Sequence, residues 1–237
     1  MELGPRSRQM MQRLALVWKQ GEHVLITGGT GSGKTELAKH LADIRKKRGS
    51  FVVVFVSKLK ADETFETSYK GWTRWKTWHR FPSVTEHSIL LWPDIEGMEL
   101  DDAMDVLKEE FTKAIKAISR TGKWTVILDE GLLMSSPQFL GLGGYIGLMY
   151  QLLRSAKVTL ITLAQRPAHL PVSIYPNISL AFIGRASELP DLKRLADLDG
   201  ATSSRELQRR IADNGKHDFT MVAIGQDWPP EQMDLAR

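Results

Sequence analysis

The sequence predicts an α/β fold: a mostly parallel sheet with helices on both faces. Two observations predict it. Short, near-continuous apolar runs recur (HVLIT at 23–27, FVVVFV at 51–56, WTVIL at 124–128, VTLITL at 158–163), as expected of strands buried on both faces. Between several of these runs lie stretches with apolar residues three and four apart, and alternating strands and helices build parallel sheets.

Each element follows from its local pattern. Residues 6–20 carry apolar side chains at 10, 11, 14, 17 and 18, a helical stripe stopped by Gly21. The strand at 23–27 runs into glycines. A helix over 34–48 turns Leu37, Ala38, Leu41 and Ile44 inward and ends at Gly49. The β-branched run 51–56 is the next strand, residues 57–87 show no clear period, and 89–92 is a short strand before Pro93. A long amphipathic helix spans 100–120, with Ala103, Leu107, Phe111, Ala114 and Ile118 on its apolar face. After the strand at 124–128 come a helix at 145–153 and strands at 158–163 and 178–183. Helical patterns around 189–197 and 203–213 precede a last strand at 218–224. No repeat or linker divides the chain, so the reading is an N-terminal helix (1–20), one core (21–225) and a C-terminal tail (226–237).

Composition bounds the chemistry. The 237 residues are 42% apolar and 25% charged, which is ordinary for a globular chain. The absence of cysteine excludes disulfides and thiolate metal sites. The net charge of +4 is unevenly spread: residues 1–80 hold 16 Lys and Arg against 7 Asp and Glu, and residues 81–130 hold 5 against 11. A basic first third is compatible with a polyanionic partner or with a solvated surface. The N-terminus does not read as a secretory signal. Residues 131–153 carry no charge, a length that can span a bilayer, yet Ser135, Ser136, Pro137, Gln138 and several glycines favour a loop and a buried helix. Gly143-x-x-x-Gly147 there hints at close helix packing.

The strongest motif is Gly28-Gly29-Thr30-Gly31-Ser32-Gly33-Lys34-Thr35, which matches the Walker A pattern G-x-x-x-x-G-K-[ST] between a strand and a helix. Glycines let successive backbone N–H groups curl around phosphate oxygens, and the helix N-terminus favours the same negative charge. Lys34 has the reach for the β- and γ-phosphates, and the Thr35 hydroxyl can ligate Mg²⁺. A P-loop NTPase binding ATP and Mg²⁺ is expected.

Asp129-Glu130 end the strand at 124–128, in the manner of a Walker B motif. Ligands of such sheets lie at the C-terminal strand ends, so Asp129 is a candidate Mg²⁺ ligand and Glu130 a candidate base for the attacking water. A kinase must exclude that water, so the acid pair argues for hydrolysis and against a small-molecule kinase. The strand at 158–163 leads into Ala164-Gln165-Arg166-Pro167, and if it lies beside the strand ending in Asp129, Gln165 emerges near the γ-phosphate.

The order GGTGSGKT, VILDE, ITLAQRP resembles the HerA/FtsK group of P-loop motor ATPases. Val53–Lys58, Leu152–Ser155 and Asn177–Arg185 are similar to further segments of that group. The resemblance covers about residues 21–225 and implies a RecA-like fold, a homo-oligomeric, usually hexameric ring, and nucleic acid, double-stranded DNA above all, as the moved polymer. It implies Gln165 as sensor and Arg185, with Arg154 second, as an arginine finger reaching the neighbouring subunit. The size is similar to that of compact viral genome-packaging ATPases, which implies a cytoplasmic or virion-associated protein with a capsid, portal or membrane partner. Channel loops in this group would fall at 131–144 and 166–176. The segment holding Trp72, Trp75 and Trp78 among Lys70, Arg74, Lys76 and Arg80 suits a packed flap, a subunit interface or stacking on bases. Arg45-Lys46-Lys47-Arg48 reads as cations placed at a helix C-terminus. An ATPase for protein secretion or for virion or pilus assembly is the alternative function.

Overall fold

The computed structural model describes residues 2–58, 60, 63–83, 85–196, 198, 204–225 and 228–236. The first half runs β1 (Glu2–Leu3), α1 (Pro5–Val17), β2 (His23–Thr27), α2 (Lys34–Lys47), β3 (Phe51–Phe55), α3 (Glu63–Ser68), β4 (Thr73–Trp75), β5 (Ser88–Leu91) and α4 (Leu100–Thr121). The second half runs β6 (Trp124–Leu128), α5 (Gly131–Ser135), α6 (Gly143–Leu152), β7 (Thr159–Ala164), β8 (Ile178–Ile183), α7 (Leu189–Ala196), α8 (Ser204–Asp213), β9 (Asp218–Ala223) and β10 (Glu231–Ala236). Two 3₁₀ turns, Pro167–His169 and Val172–Asn177, link β7 to β8.

Among the described residues the strands form one sheet in the order β1-β10-β9-β8-β2-β7-β6-β3-β5-β4. From β8 to β4 every pairing is parallel. The other end, β9, β10 and β1, is antiparallel. Alternation along the strands makes two cores. Leu25, Val53, Phe55 and Val126 pack with Phe111, Ala114 and Ile118 of α4 on one face. Val24, Ile26, Val52 and Val54 pack with Leu37 and Leu41 of α2 and Met10 and Leu14 of α1 on the other. Helices on both faces are what the continuous apolar strands predict.

The residues read as a C-terminal tail contribute β10. Met233 and Leu235 are buried while Gln232 and Asp234 are exposed, a period-2 pattern too short to stand out after the break at Pro229-Pro230. Helix α1 is tied to this strand: the Ser7 hydroxyl donates to Asp234 O (2.8 Å) and accepts from the Asp234 N–H (3.0 Å), and Arg13 pairs with Glu231. The two ends of the chain therefore close one edge of the sheet together.

The unassigned stretch 57–87 supplies α3 and β4, and the tryptophan segment folds as a packed flap. Trp75 is buried and meets Trp78 at 5.4 Å between ring centroids, and Trp78 meets Trp124 at 5.6 Å. Of the segment's cations, Arg80 lies over Trp75 (4.9 Å) and Arg74 over Trp92 (4.2 Å), while Lys76 pairs with Asp94 (2.7 Å); Lys46 of α2 lies over Trp72 (5.2 Å). The basic run ending α2 has a more specific role than facing its own dipole. Arg45 is buried with its guanidinium 3.5 Å from the Trp18 ring centroid and donates to Trp18 O, while Arg48 donates to Trp18 O (2.7 Å) and Leu16 O (3.1 Å). Both side chains thus satisfy carbonyls left open at the end of α1.

Residues 131–153 divide into α5 and α6, with Met134, Leu140, Leu142, Ile146, Met149 and Tyr150 buried. No helix among the described residues is long and apolar enough to cross a membrane. The expected close packing exists at Gly143: a Cβ there would lie 2.6 Å from the Ser135 carbonyl oxygen. At Gly147 the nearest atom would be Ser173 Oγ, at 3.8 Å. Gly143→Ala is therefore expected to lose about 1–3 kcal/mol, because backbone cannot yield as a flexible side chain can. Gly147→Ala should be neutral or gain up to about 1 kcal/mol of helix propensity. Thermal denaturation of both variants checks this; equal effects would contradict the packing argument.

His23 is buried, accepting from the Leu160 N–H at Nδ1 (3.1 Å) with Nε2 3.1 Å from Tyr150 O. That arrangement assigns the neutral Nε2–H tautomer. Burial pushes its pKa from 6.5 down to about 4, with the Tyr150 carbonyl opposing and Arg154 assisting. The folded state then binds fewer protons than the unfolded chain between these values, so stability falls as pH drops through the window. The expected loss is roughly 2–3 kcal/mol between pH 7.5 and 4.5. Urea midpoints across this range should fall more steeply in the wild type than in His23→Gln; parallel profiles would refute the assignment.

Candidate nucleotide site

The sheet topology decides what meets at its C-terminal edge. Strand β2 pairs with β7, β7 with β6 and β6 with β3. Four neighbouring strand ends thus deliver, in order, the glycine loop, Gln165, the Asp129-Glu130 pair and Lys58. The expectation that the strand at 158–163 lies beside the one ending in Asp129 is met by the β6–β7 pairing.

The loop 28–35 has the geometry its glycines predict. Gly28, Gly31 and Gly33 adopt φ of +151°, +70° and +97°, and Gly33 precedes α2 in the left-handed region. A Cβ on Gly28 would lie 2.8 Å from Ser32 Oγ, while Gly29 has open space. The Ser32 hydroxyl is buried with no hydrogen-bond partner among the described residues. A concave loop with an unsatisfied hydroxyl fits a phosphate group. Lys34 Nζ donates to the carbonyls of Gly28 (2.8 Å) and Gly29 (2.9 Å), folded back along the loop. Its pKa is lowered chiefly by burial, against the attraction of Glu130 and Asp129 and with repulsion from Lys58.

These groups enclose a cavity of about 300 Å³ lined by residues 30–35, Lys58, Asp129, Glu130, Leu163 and Gln165. Asp129 is 5% exposed, with Lys58 Nζ 3.9 Å from its Oδ2. Gln165 bridges the two walls: its Nε2 donates to Glu130 Oε1 (3.1 Å), and its Oε1 accepts from Thr30 Oγ1 (3.3 Å). The side chain that follows β7 therefore touches both the candidate base and the candidate phosphate loop. Thr35 and Asp129 both line the cavity, an all-oxygen pair of the kind Mg²⁺ takes.

The two arginines named from the sequence lie apart. Arg185 is exposed just beyond β8, and Gly184 N–H donates to Thr27 O (2.8 Å), so Arg185 stands beside the start of its own chain's glycine loop. Among the described residues its guanidinium makes no hydrogen bond or ion pair. Arg154 is exposed at the opposite edge of the sheet: its carbonyl would be 2.8 Å from a Cβ on Gly21, which precedes β2. The strand β2 separates it from the phosphate loop of the same chain.

Neither segment expected to form a channel loop is an open loop. Residues 131–144 hold α5 and a turn that buries Leu140 and Leu142. Residues 166–176 hold the 3₁₀ turns, pinned where Arg166 donates to Asp191 (2.7 Å) and Glu188 (3.1 Å) and Asp191 accepts from the Ala168 N–H (2.9 Å). Sequence reasoning missed three residues of the site's surroundings, Lys58, Lys216 and His217. Lys58 follows β3 in the VVFVSK segment, whose spacing after the strand was a signal for a C-terminal-edge position. Lys216 and His217 lie in the α8–β9 turn, with Lys216 Nζ 3.9 Å from where a Gly31 Cβ would be and His217 Nδ1 3.4 Å from Ser32 O. Buried Asn214 fixes that turn by donating to Ile183 O (2.8 Å), a contact no local pattern announces.

Comparison with known proteins agrees with this architecture. A family model described as the Sigma-54 interaction domain matches residues 3–71, the part that contains the glycine loop. No curated protein sequence matches the chain. Among solved structures, the DNA-packaging ATPase B204 from Sulfolobus turreted icosahedral virus superposes with a TM-score of 0.65 at 15% identity, over 92% of this chain and 100% of that one. VirB4 of Thermoanaerobacter pseudethanolicus gives 0.60 at 11% identity, over 91% and 89%. The cytoplasmic domain of the type VII secretion ATPase EccC from Thermomonospora curvata gives 0.54 at 18% identity, over 92% and 26%. At these identities the likeness shows the fold, and the chain has the RecA-like P-loop NTPase architecture that its motif order, resembling the HerA/FtsK group, led us to expect.

Proposed function

We propose that this chain is an ATP-hydrolysing motor of the HerA/FtsK type that moves or packages DNA as a homo-oligomeric, hexameric ring. The observation that carries the hydrolytic reading is the line Glu130–Gln165–Thr30 across one cavity. The loop amides and Lys34 would bind the phosphates, and Thr35 and Asp129 would hold Mg²⁺, which would supply charge neutralisation at the phosphate oxygens. Glu130 accepts a proton from water as its oxygen bonds to the γ-phosphorus, and the β–γ bridging oxygen leaves with ADP. Gln165 orients that water and relays its loss to the glycine loop through Thr30. That Arg185 is exposed and without an ion pair among the described residues supports reading it as an arginine finger toward a neighbouring subunit. Arg154, at the opposite edge, is the second choice for a finger acting in trans. The likeness to B204, a viral DNA-packaging ATPase, supports DNA as the substrate; a cytoplasmic or virion-associated setting with a capsid, portal or membrane partner is part of the same proposal.

A specific observation keeps the secretion or assembly reading in view. Tyr145, Leu148 and Leu152 are exposed along one side of α6, within the uncharged stretch, and suit an apolar protein partner better than a phosphate backbone.

One assay separates these readings: phosphate release with double-stranded DNA, single-stranded DNA, RNA or no polymer. Stimulation by double-stranded DNA is expected, as is loss of turnover by about 100-fold or more in Glu130→Gln with ATP still bound. Lys34→Ala should abolish productive binding. Turnover indifferent to every polymer in an assembled ring would remove the DNA reading, and phosphate release without any acceptor would remove a kinase.

A further inference from the structure

Two lysines, not one, enter the cavity. Lys34 belongs to the glycine loop and is folded back onto its carbonyls. Lys58 comes from the far side, three strands away from β2 in the sheet order. Its backbone is fixed, since Lys58 O accepts from the Trp92 indole N–H (2.8 Å). Its ammonium lies 5.0 Å from the Phe65 ring centroid and 3.9 Å from Asp129 Oδ2, an ion-pair separation longer than a hydrogen bond. Phe65 is buried, so the ammonium sits between an aromatic wall and the acidic end of the cavity.

The charges explain why a second cation belongs there. Lys34 and Lys58 balance Asp129 and Glu130 among the cavity's lining residues. A triphosphate brings several negative charges into this space, and a divalent cation held by Asp129 would compete with Lys58 for that carboxylate. Loop amides and Lys34 would serve the β- and γ-phosphates from the α2 side, whereas Lys58 stands with Asp129 across the same cavity, facing the terminal phosphate from the other wall.

We propose that Lys58 is a second ammonium for the terminal phosphate, exchanging its contact with Asp129 for the γ-phosphate when a nucleoside triphosphate binds. This rests on the reading of the cavity as a nucleotide site. It makes Lys58 a discriminator of triphosphate from diphosphate, a role that a purely structural partner of Asp129 would not have.

Equilibrium binding of a non-hydrolysable ATP analogue and of ADP, each with Mg²⁺, tests it without depending on turnover. Lys58→Met is expected to bind the ATP analogue about tenfold or more weakly while ADP affinity changes less than about twofold, a difference near 1.4 kcal/mol. Lys58→Arg should restore most of the triphosphate preference, and thermal denaturation verifies that both variants are folded. Equal weakening toward both nucleotides, or none toward either, would overturn the proposal while leaving the nucleotide site standing. If the wild type binds neither nucleotide, the site reading and the lysine fall together.

Discussion

Because β7 hydrogen-bonds to β2 on one side and to β6 on the other, Gln165 cannot leave the space between the glycine loop and the acid pair. Everything else in the site depends on that pairing. Parallel strands place their C-terminal ends on one edge, so a change in strand order would move whole functional groups by a strand spacing of about 5 Å. The register is held by continuous apolar burial: Leu25 and Ile26 of β2, Ile127 and Leu128 of β6, and Leu160 and Ile161 of β7 are all fully buried. A strand buried on both faces cannot slip without exposing one core or filling the other with polar side chains. The precision of a 3.1 Å contact between Gln165 and Glu130 is thus a property of the hydrophobic sheet beneath it.

The basic first third reads differently once its side chains are placed. Lys34 serves the loop, Arg45 and Arg48 hold the end of α1, Arg13 pairs with Glu231, and Arg74 and Arg80 lie over indoles. Much of the excess is therefore committed to folding. The case for a polyanion partner is weaker from charge than the raw count suggests, and the exposed apolar face of α6 points the search for partners elsewhere on the surface.

Much of the fold was legible because its signals are local. Apolar runs ending in glycine or acid mark β2 and β6, and a helical stripe marks α4. The glycine loop was legible in full because backbone conformation, not tertiary contact, dictates its residue types: three of its glycines occupy positive φ. Gln165 was legible only conditionally, since its role required β7 to lie next to β6, a long-range fact. The tryptophan flap was legible as one of several readings, but its strand β4 and the closing strand β10 were not. Both strands are short, and their patterns depend on partners distant in sequence, Trp124 for the flap and α1 for β10. Lys58 was overlooked for the same reason: a lysine after a strand is ordinary until the neighbouring strand is known to end in Asp129.

The electrostatics of the cavity tie these levels together. Burial lowers the pKa of Lys34, and nearby Asp129 and Glu130 oppose the fall. Removing either acid therefore changes more than a ligand or a base, because it also withdraws a charge that opposes the lowering of the Lys34 pKa. Lys58 acts in the reverse sense on Lys34 while compensating Asp129. Four charges drawn from the glycine loop, β3 and β6 thus form one coupled set, and an anionic ligand entering it meets both ammoniums at once. Such coupling makes single substitutions here non-additive by nature, because each removed charge leaves the others facing a different field.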